Sequence, residues 1–243
     1  MSEVRQKILT ASGRSIVMLY DSRWQGKILP VYFDPDHWQA SPDTEILAKG
    51  RGTTYKVQCE FDRHAWVLRQ YRRGGLFGRV IKQSYFFSGE SRVRSFAEWR
   101  LLQSLREQDL PVPEPVAAMY FRLGPYYRAA ILTRYIPETR TLSQLLSKQG
   151  NIPWSGIATA IHQLHRAGLI HGDLNAHNIL IDKNDSVTVI DLDKSGYLPG
   201  IDLSSQHRAN LERLQRSVNK VSTRPEQTQQ KDWDEFISAY RNS

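Results

Sequence analysis

The feature that most constrains this chain is a pair of segments in its second half, HGDLNAHN at residues 171–178 and VIDLD at residues 189–193. Before the first segment, residues 157–168 carry apolar side chains at helical spacing, and the run ends in a glycine that suits a helix end. Between the segments, two β-branched runs flank a short polar turn, which is the pattern of a β-hairpin. The sequence therefore predicts a helix, a polar loop, a hairpin and a carboxylate in that order.

Three side chains in these segments have the chemistry that phosphoryl transfer from ATP requires. One carboxylate must orient the attacking hydroxyl, and carboxylate or amide oxygens must hold Mg²⁺ against the phosphates. We assign the first role to Asp173 and the second to Asn178 and Asp191. Asp193 is the alternative metal ligand, but the separation of Asp191 from Asp173 along the chain resembles the spacing found in protein kinases.

A second group of residues, earlier in the chain, fits a nucleotide site. Residues 45–57 predict a strand, a turn and a strand, and the turn carries Gly50 and Gly52. Glycines at these positions would let backbone N–H groups approach ATP phosphates, although an ordinary hairpin turn has the same pattern. Because the next strand carries a cation, we favour the phosphate-binding interpretation.

That cation is Arg69, on a strand predicted over residues 65–71, where protein kinases carry a lysine. Lys82 is the alternative, but it lies farther along the chain from the glycine turn. Glu98 is the acid in the middle of a helix predicted over residues 91–108, and it would pair with Arg69. A solvated arginine and a solvated glutamate are the alternative interpretation of these two residues.

Two departures separate the chain from regulated protein kinases. Gly172 replaces the arginine that would contact a phosphorylated activation loop, and the segment after the hairpin reads DLD rather than DFG. Only fifty residues follow Asp193, with helices predicted over residues 203–221 and 232–240, so no large peptide-docking lobe is expected. The missing arginine and the short segment after Asp193 favour a kinase of a small molecule, a sugar or a lipid.

The charge balance points to an anionic partner. The chain has 33 Lys and Arg against 25 Asp and Glu, which gives a net charge of +8. Part of the excess lies between residues 69 and 94, interleaved with aromatic side chains, a mixture that suits nucleic acid or anionic lipid. Within this run we assign acceptor contacts to Arg72, Arg73, Arg92 and Arg94.

Three pieces of the sequence resemble the lipopolysaccharide kinase family of Gram-negative bacteria, and within it the kinases of 3-deoxy-D-manno-octulosonic acid (Kdo). They are FDPDHW at residues 33–38, VLRQYRRGGL at residues 67–76 and HGDLNAHNILID at residues 171–182. The resemblance implies that ATP, with Mg²⁺, phosphorylates the 4-hydroxyl of Kdo on Kdo-lipid A. It also implies peripheral attachment to the anionic cytoplasmic face of the inner membrane.

Two alternative functions stay open at this point. One is a related enzyme, either a heptose kinase of the lipopolysaccharide core or an aminoglycoside-type phosphotransferase. The other, from a different class, is a nucleic-acid-binding protein with a degenerate kinase fold, for which the basic and aromatic run and Arg69 would account. We favour the glycolipid acceptor and expect no nucleic-acid partner.

The expected fold class is α+β and bilobal, like that of protein kinases. We predict an N-terminal extension at residues 1–43, an N-lobe with an antiparallel sheet and one helix at 44–135, and a reduced, mainly helical C-lobe at 136–243. A single cysteine, Cys59, excludes an internal disulfide framework. The sequence has no apolar run of membrane-spanning length and no signal-peptide pattern, so we expect a cytoplasmic location.

Overall fold

The computed structural model describes residues 2–10, 15–39, 41–48, 53–71 and 84–243. Positions named above that lie outside the described residues are Gly50, Gly52, Arg72, Arg73 and Lys82. The chain divides into two compact units, one formed by Met1–Gln103 with Glu114–Tyr135 and the other by Ser104–Pro113 with Ile136–Ser243. The two units, one rich in sheet and one rich in helix, confirm the expected bilobal α+β class.

The first unit is built on an antiparallel sheet. Its elements are β1 (Glu3–Leu9), β2 (Ser15–Asp21), α1 (Pro35–Gln39), β3 (Glu45–Ala48), β4 (Thr54–Val57), β5 (Trp66–Gln70), β6 (Tyr85–Phe86), α2 (Arg94–Arg106), β7 (Pro115–Leu123) and β8 (Tyr126–Arg134), and the last turn of α2 belongs to the second unit. Among the described residues the strand order is β1-β2-β7-β8-β5-β4-β3, with β6 beside β8. This arrangement confirms the predicted antiparallel sheet.

The middle of the sheet is buried on both faces. Consecutive residues of β7, such as Ala117 and Ala118, and of β8, such as Ile131 and Leu132, are no more than 1% exposed. Such strands read as continuous apolar runs rather than as alternating patterns. β5 lies between β8 and β4, and its register places Arg69 opposite Ile131 on one side and Thr54 on the other.

The N-terminal segment is integral to the sheet rather than an addition to it. The sequence predicts an extension over residues 1–43, but β1 pairs with β2 and β2 pairs with β7. The reason is that β2 is an apolar run with Met18 and Leu19 fully buried, which secures it inside the sheet between β1 and β7. After β2, Trp24 packs edge-on against Trp66 of β5 at a centroid distance of 5.6 Å.

Helix α2 covers part of the first unit and supplies one buried acid. The sequence predicts a helix over residues 91–108, and the structure has Arg94–Arg106. Phe96, Trp99 and Leu102 are at most 2% exposed, as their helical spacing predicts. Glu98 is also buried, at 4% exposure, so its carboxylate requires polar partners inside the unit.

The second unit is mainly helical, as predicted. Its elements are β9 (Arg140–Thr141), α3 (Leu142–Ser147), α4 (Trp154–Arg166), β10 (Leu169–Ile170), β11 (Ile179–Ile181), β12 (Val187–Val189), β13 (Gly196–Tyr197), α5 (Ser204–Val221) and α6 (Glu226–Asn242). The predicted hairpin is present as β11 and β12, which pair antiparallel. Helix α6 is longer than the predicted 232–240 because its polar first turns continue the helix ahead of the apolar positions.

Helix α4 leads into the loop that carries Asp173, and a glycine ends it. The predicted role of Gly168 is confirmed: its φ is +93°, and its N–H donates to the carbonyl of His165. A Cβ at Gly168 would lie 2.7 Å from the backbone of Pro199, so both conformation and space require glycine. In the described part of the chain, no helix is both long and apolar enough to cross a membrane.

A stacked histidine pair joins α4 to α5, and one of its rings also contacts α6. The ring of His165 stacks on His207 at a centroid distance of 4.0 Å, and its Nδ1 hydrogen-bonds the Tyr240 hydroxyl at 2.7 Å. Burial, followed by the nearby His207, lowers the pKa of His165 to about 3. The folded protein therefore keeps this ring neutral over a pH range in which the unfolded chain protonates it.

We predict that His165 makes the second unit sensitive to acid. Its pKa is lowered on folding, so its stabilising effect is complete above the unfolded value of 6.5 and is lost as the pH falls toward about 3. Between these values, protonation of His165 in the unfolded chain should reduce the free energy of unfolding by about 1.4 kcal/mol for each unit by which the pH falls. Denaturant unfolding at a series of pH values measures this slope.

His165→Gln should lower the slope by that amount, whatever its effect on stability at neutral pH. His177→Gln, which changes an exposed histidine of the same unit, is the matched control and should keep the wild-type slope. If His165→Gln also keeps the wild-type slope, another group is responsible for the acid sensitivity.

Candidate active site

The loop between β10 and β11 holds Asp173 at the surface of the second unit. The loop begins directly after β10, which pairs with β13, and it ends where β11 joins the hairpin. The Asp173 carboxylate is 59% exposed, so a molecule from solvent can reach it. The backbone around Asp173 is instead held by buried groups.

The imidazole of His171 is the first of these buried groups. Its Nδ1 accepts a hydrogen bond from the Asp173 N–H at 3.0 Å, so the ring proton must lie on Nε2. That Nε2–H donates to the carbonyl of Ile190 at 3.1 Å. Burial lowers the pKa of His171, which keeps the ring neutral and preserves the acceptor nitrogen.

Asn178 connects the same groups from the other side. Its side-chain Nδ2 donates to the backbone carbonyl of Asp173 at 2.9 Å, and its backbone carbonyl accepts the Ile190 N–H at 2.9 Å. Asp173, Asn178, Ile190 and His171 thus form a closed circuit of hydrogen bonds, which we call the catalytic-loop circuit. The circuit brings together the predicted residues Asp173 and Asn178, and Asp191 follows Ile190 directly.

Asp191 has an unusual backbone conformation. Its φ is +62°, in the left-handed region that residues other than glycine rarely adopt. Such a conformation costs about 1–3 kcal/mol and persists where surrounding contacts determine it. Here the hairpin register on one side and buried Leu192 on the other fix the chain. The conformation distinguishes Asp191 from the alternative ligand Asp193.

The donor set at this position fits a hard divalent cation. The Nδ2 of Asn178 is used within the circuit, so its Oδ1 is the atom left to face a ligand, and within the described residues no donor bonds that oxygen. An amide oxygen and a carboxylate match the preference of Mg²⁺ for oxygen ligands. No cluster of three or more His, Cys, Asp or Glu suited to a metal occurs in the described part of the chain. A cation here would need further oxygens from water or a phosphate.

The structure explains why glycine stands before Asp173. A Cβ at Gly172 would lie 2.8 Å from backbone atoms of Asp193 and Lys194, so no side chain fits without moving the chain. The Gly172 N–H donates to the Ser195 hydroxyl at 3.1 Å, which holds these two segments together. The arginine that protein kinases carry at this position is therefore sterically excluded.

Helix α5 supports the catalytic loop through residues that the sequence analysis did not identify. Asn210 accepts the His171 N–H at 2.9 Å and donates to the His171 carbonyl at 3.0 Å. The Ser217 hydroxyl accepts the Ala176 N–H at 3.1 Å. Between them, Arg213 donates from Nη1 to the Asp173 carboxylate at 2.9 Å. The spacing of Asn210, Arg213 and Ser217 puts all three on one face of the helix.

The sequence contains one signal that could have identified this face. The charges of α5 mark it as a basic helix, but Asn210 lies at helical spacing with the buried Leu214 and Val218. A polar residue on an apolar stripe indicates a buried hydrogen bond. The partner could not be named, because it lies 39 residues earlier in the chain.

In the first unit, the structure brings Arg69 and Glu98 together. Nη2 of Arg69 lies 2.5 Å from both carboxylate oxygens of Glu98. The Tyr71 hydroxyl also donates to Glu98, and the Arg69 guanidinium lies 4.8 Å from the Tyr71 ring centre. Glu98 is therefore a satisfied buried acid that orients a partly exposed cation.

The described acceptor candidates occupy different settings. Arg92 is exposed in a short turn before α2. Arg94 begins α2, and its guanidinium lies 4.8 Å from the ring centre of Tyr85 and 5.7 Å from that of Tyr71. The roles of Arg92 and Arg94 in acceptor binding stay predictions, as do those of Arg72 and Arg73.

The two units and the catalytic-loop circuit define a protein-kinase-like phosphotransferase. The family model described as the lipopolysaccharide kinase (Kdo/WaaP) family matches residues 36–240. A 3-deoxy-D-manno-octulosonic acid kinase of Vibrio vulnificus (strain CMCP6) is 41% identical over 203 residues, which cover 83% of this chain and 84% of the relative. A protein of the same name from Stenotrophomonas maltophilia (strain K279a) is 42% identical over 211 residues, 86% of this chain and 82% of the relative.

The chain belongs to the lipopolysaccharide kinase (Kdo/WaaP) family, as its sequence pieces predicted. Family membership makes it a phosphotransferase that acts on a hydroxyl group.

We predict that Asn210→Leu destabilises the second unit. The change keeps the approximate volume but leaves the buried N–H and carbonyl of His171 without partners, which should cost roughly 2–4 kcal/mol. Denaturant unfolding measures the loss. Asn219→Leu, at an exposed position of the same helix, is the matched control and should change stability by about 0.5 kcal/mol or less. Equal losses in the two variants would contradict the proposed support of the loop.

We also predict that Arg69 and Glu98 are energetically coupled. A double-mutant cycle with Arg69→Gln and Glu98→Gln should give a coupling energy of about 1–3 kcal/mol in the free energy of unfolding, because the carboxylate is buried. The control cycle uses Arg100 and Glu3, whose side chains are 39% and 40% exposed. That pair should couple by about 1 kcal/mol or less, and a coupling as large as that of Arg69 and Glu98 would refute the distinction.

Proposed function

We propose that this protein is an ATP-dependent kinase that phosphorylates the 4-hydroxyl of Kdo on Kdo-lipid A. The observation that carries the proposal is the catalytic-loop circuit, because it joins the backbone of the exposed Asp173 to Asn178 and to Ile190, the residue before Asp191, through one buried ring. The names of the relatives supply the acceptor sugar. The 4-hydroxyl and the lipid A carrier come from the family resemblance of the sequence.

In this proposal Asp173 is the catalytic carboxylate. It accepts a hydrogen bond from the acceptor hydroxyl and orients an oxygen lone pair toward the γ-phosphorus of ATP. As the new O–P bond forms, the hydroxyl proton passes to Asp173, and ADP leaves with the electron pair of the broken P–O bond. The exposure of Asp173 allows the sugar to approach, and the bond to its backbone N–H limits movement of the residue.

Asn178 and Asp191 would hold Mg²⁺. When bound, the cation would neutralise charge on the phosphates. The hydrogen bond of Asn178 Nδ2 within the circuit leaves Oδ1 as the side-chain atom for the cation. The left-handed backbone at Asp191 sets the direction of the second ligand. Asp193 carries no role in this assignment.

Arg69 is assigned to phosphate binding, with Glu98 and Tyr71 holding its guanidinium. Arginine presents a planar fork of N–H donors that suits a phosphate, and the two contacts of Nη2 with Glu98 fix the position of this guanidinium. The Gly50 and Gly52 turn is assigned to covering the phosphates, as the sequence analysis predicts. We further assign the net charge of +8 to attraction toward an anionic glycolipid at the cytoplasmic face of the inner membrane.

Mass spectrometry of Kdo-lipid A after incubation with protein, ATP and Mg²⁺ tests the proposal. We expect one added phosphate on the Kdo sugar, and NMR of the product should place it on the 4-hydroxyl. A heptosylated acceptor serves as the comparison. Phosphate on heptose would favour a heptose kinase. Salt-sensitive RNA binding without any phosphorylated product would favour a nucleic-acid-binding protein.

Variants in the same assay test the assigned roles. Asp173→Asn should lower kcat by on the order of 10²–10⁴, because the hydroxyl loses its base. Asp185→Asn, in an exposed turn with a φ of +60°, is a control that should keep wild-type turnover. Asp191→Asn should abolish Mg²⁺-dependent turnover and Asp193→Asn should not, and the opposite result would exchange the two assignments.

A further inference from the structure

The proposed base already has a cationic partner in the folded chain. Nη1 of Arg213 lies 2.9 Å from Oδ1 of Asp173, and the two side chains are 50% and 59% exposed. No other group in the described part of the chain bonds the Arg213 guanidinium. The remaining N–H donors of Arg213 therefore face solvent beside the carboxylate that must receive the substrate proton.

This contact is easily exchanged. An ion pair between half-exposed side chains contributes about 1 kcal/mol or less, because water and salt compete with it. An incoming carboxylate can bond a guanidinium through two parallel N–H···O contacts, which is stronger than the single contact present here. A ligand that carries a carboxylate could therefore draw Arg213 from Asp173 at little cost.

The backbone that carries Arg213 is nevertheless held in place. Asn210, one turn before it, bonds both backbone groups of His171, and Ser217, one turn after it, bonds the Ala176 N–H. These contacts fasten α5 to the catalytic loop on both sides of the arginine. The backbone of Arg213 is therefore held in place while its guanidinium is exposed to solvent, an arrangement that suits a group that binds substrate.

We propose that Arg213 recognises the carboxylate of the acceptor sugar and so places the adjacent hydroxyl on Asp173. This inference rests on the proposed function, in which the acceptor is an octulosonic acid, the acid named for the relatives. In such a sugar the ring carbon that bears the carboxylate is two positions from the carbon that bears the 4-hydroxyl. The sugar therefore carries an anion and a hydroxyl a short distance apart, matching the neighbouring arginine and aspartate.

The pairing also accounts for acceptor selection. A neutral sugar does not displace Arg213 from Asp173. The Asp173 carboxylate must then bond both Arg213 and the sugar hydroxyl. An acidic sugar engages Arg213 and leaves Asp173 to accept the hydroxyl proton. Arg213 is thus a specificity-determining residue, and its contribution depends on a charge in the substrate.

The test compares kcat/KM for Kdo-lipid A, for its Kdo methyl ester and for an acceptor whose lipid A phosphates have been removed. The wild type should prefer the free acid to the ester by roughly 10- to 100-fold, the range expected for hydrogen bonds to a charged group. Arg213→Gln should lower kcat/KM by this factor for the acid but not for the ester, so that the variant has about the same kcat/KM for both. Arg213→Lys should keep part of the preference, because it retains the charge without the planar fork.

Arg216→Gln is the matched control, since Arg216 is an exposed arginine one turn farther along α5. It should keep the wild-type preference, and all variants should show the wild-type thermal unfolding midpoint. If Arg213→Gln lowers turnover of acid and ester equally, Arg213 only positions Asp173 and the proposal is wrong. It is also wrong if the Arg213→Gln defect disappears with the dephosphorylated acceptor, which would assign the arginine to a phosphate. Absence of product from the wild type with every acceptor would instead refute the proposed function.

Discussion

The geometry of the second unit depends on one neutral imidazole. His171 uses Nδ1 to accept from the Asp173 N–H and Nε2–H to donate to the Ile190 carbonyl, so each ring nitrogen fixes a different segment. A protonated ring would have no acceptor and would lose the first of these bonds. Burial lowers the pKa of His171 and prevents this. Burial of the His171 ring therefore keeps Nδ1 unprotonated and able to accept the hydrogen bond from the Asp173 N–H.

Helix α5 supplies the rigidity that a small second unit needs. A loop of polar residues would be mobile on its own, since its hydrogen bonds face water. Asn210 and Ser217 replace water at the buried side of the loop, and they do so from one helix face. The support comes from α5, the helix that follows β13, so the catalytic loop is held by contacts within the second unit itself.

The sequence predicted features whose determinants are local in the chain. The placement of Asp173, Asn178 and Asp191 can be predicted because the helix, loop and hairpin lie within a short stretch and each has a recognisable pattern. Arg69 and Glu98 required only a strand and a helix to be placed correctly. By contrast, Arg213 meets Asp173 across 40 residues, and no periodicity encodes which loop a helix will contact. Strand β2 was missed for a related reason, because burial on both faces removes the alternation that marks a strand.

Gly172 and Arg213 together describe how this site departs from that of a regulated protein kinase. There, an arginine on the catalytic loop stands next to the catalytic aspartate and reads a phosphorylated segment of the same chain. Here the backbone at Asp193 and Lys194 leaves no room for a side chain at Gly172, so no arginine fits at this position. The cation beside Asp173 comes instead from α5, on the exposed side of the carboxylate. If the proposed function holds, an arginine in that position would face the acceptor, and the contact that serves regulation in protein kinases would here serve recognition of an acidic substrate.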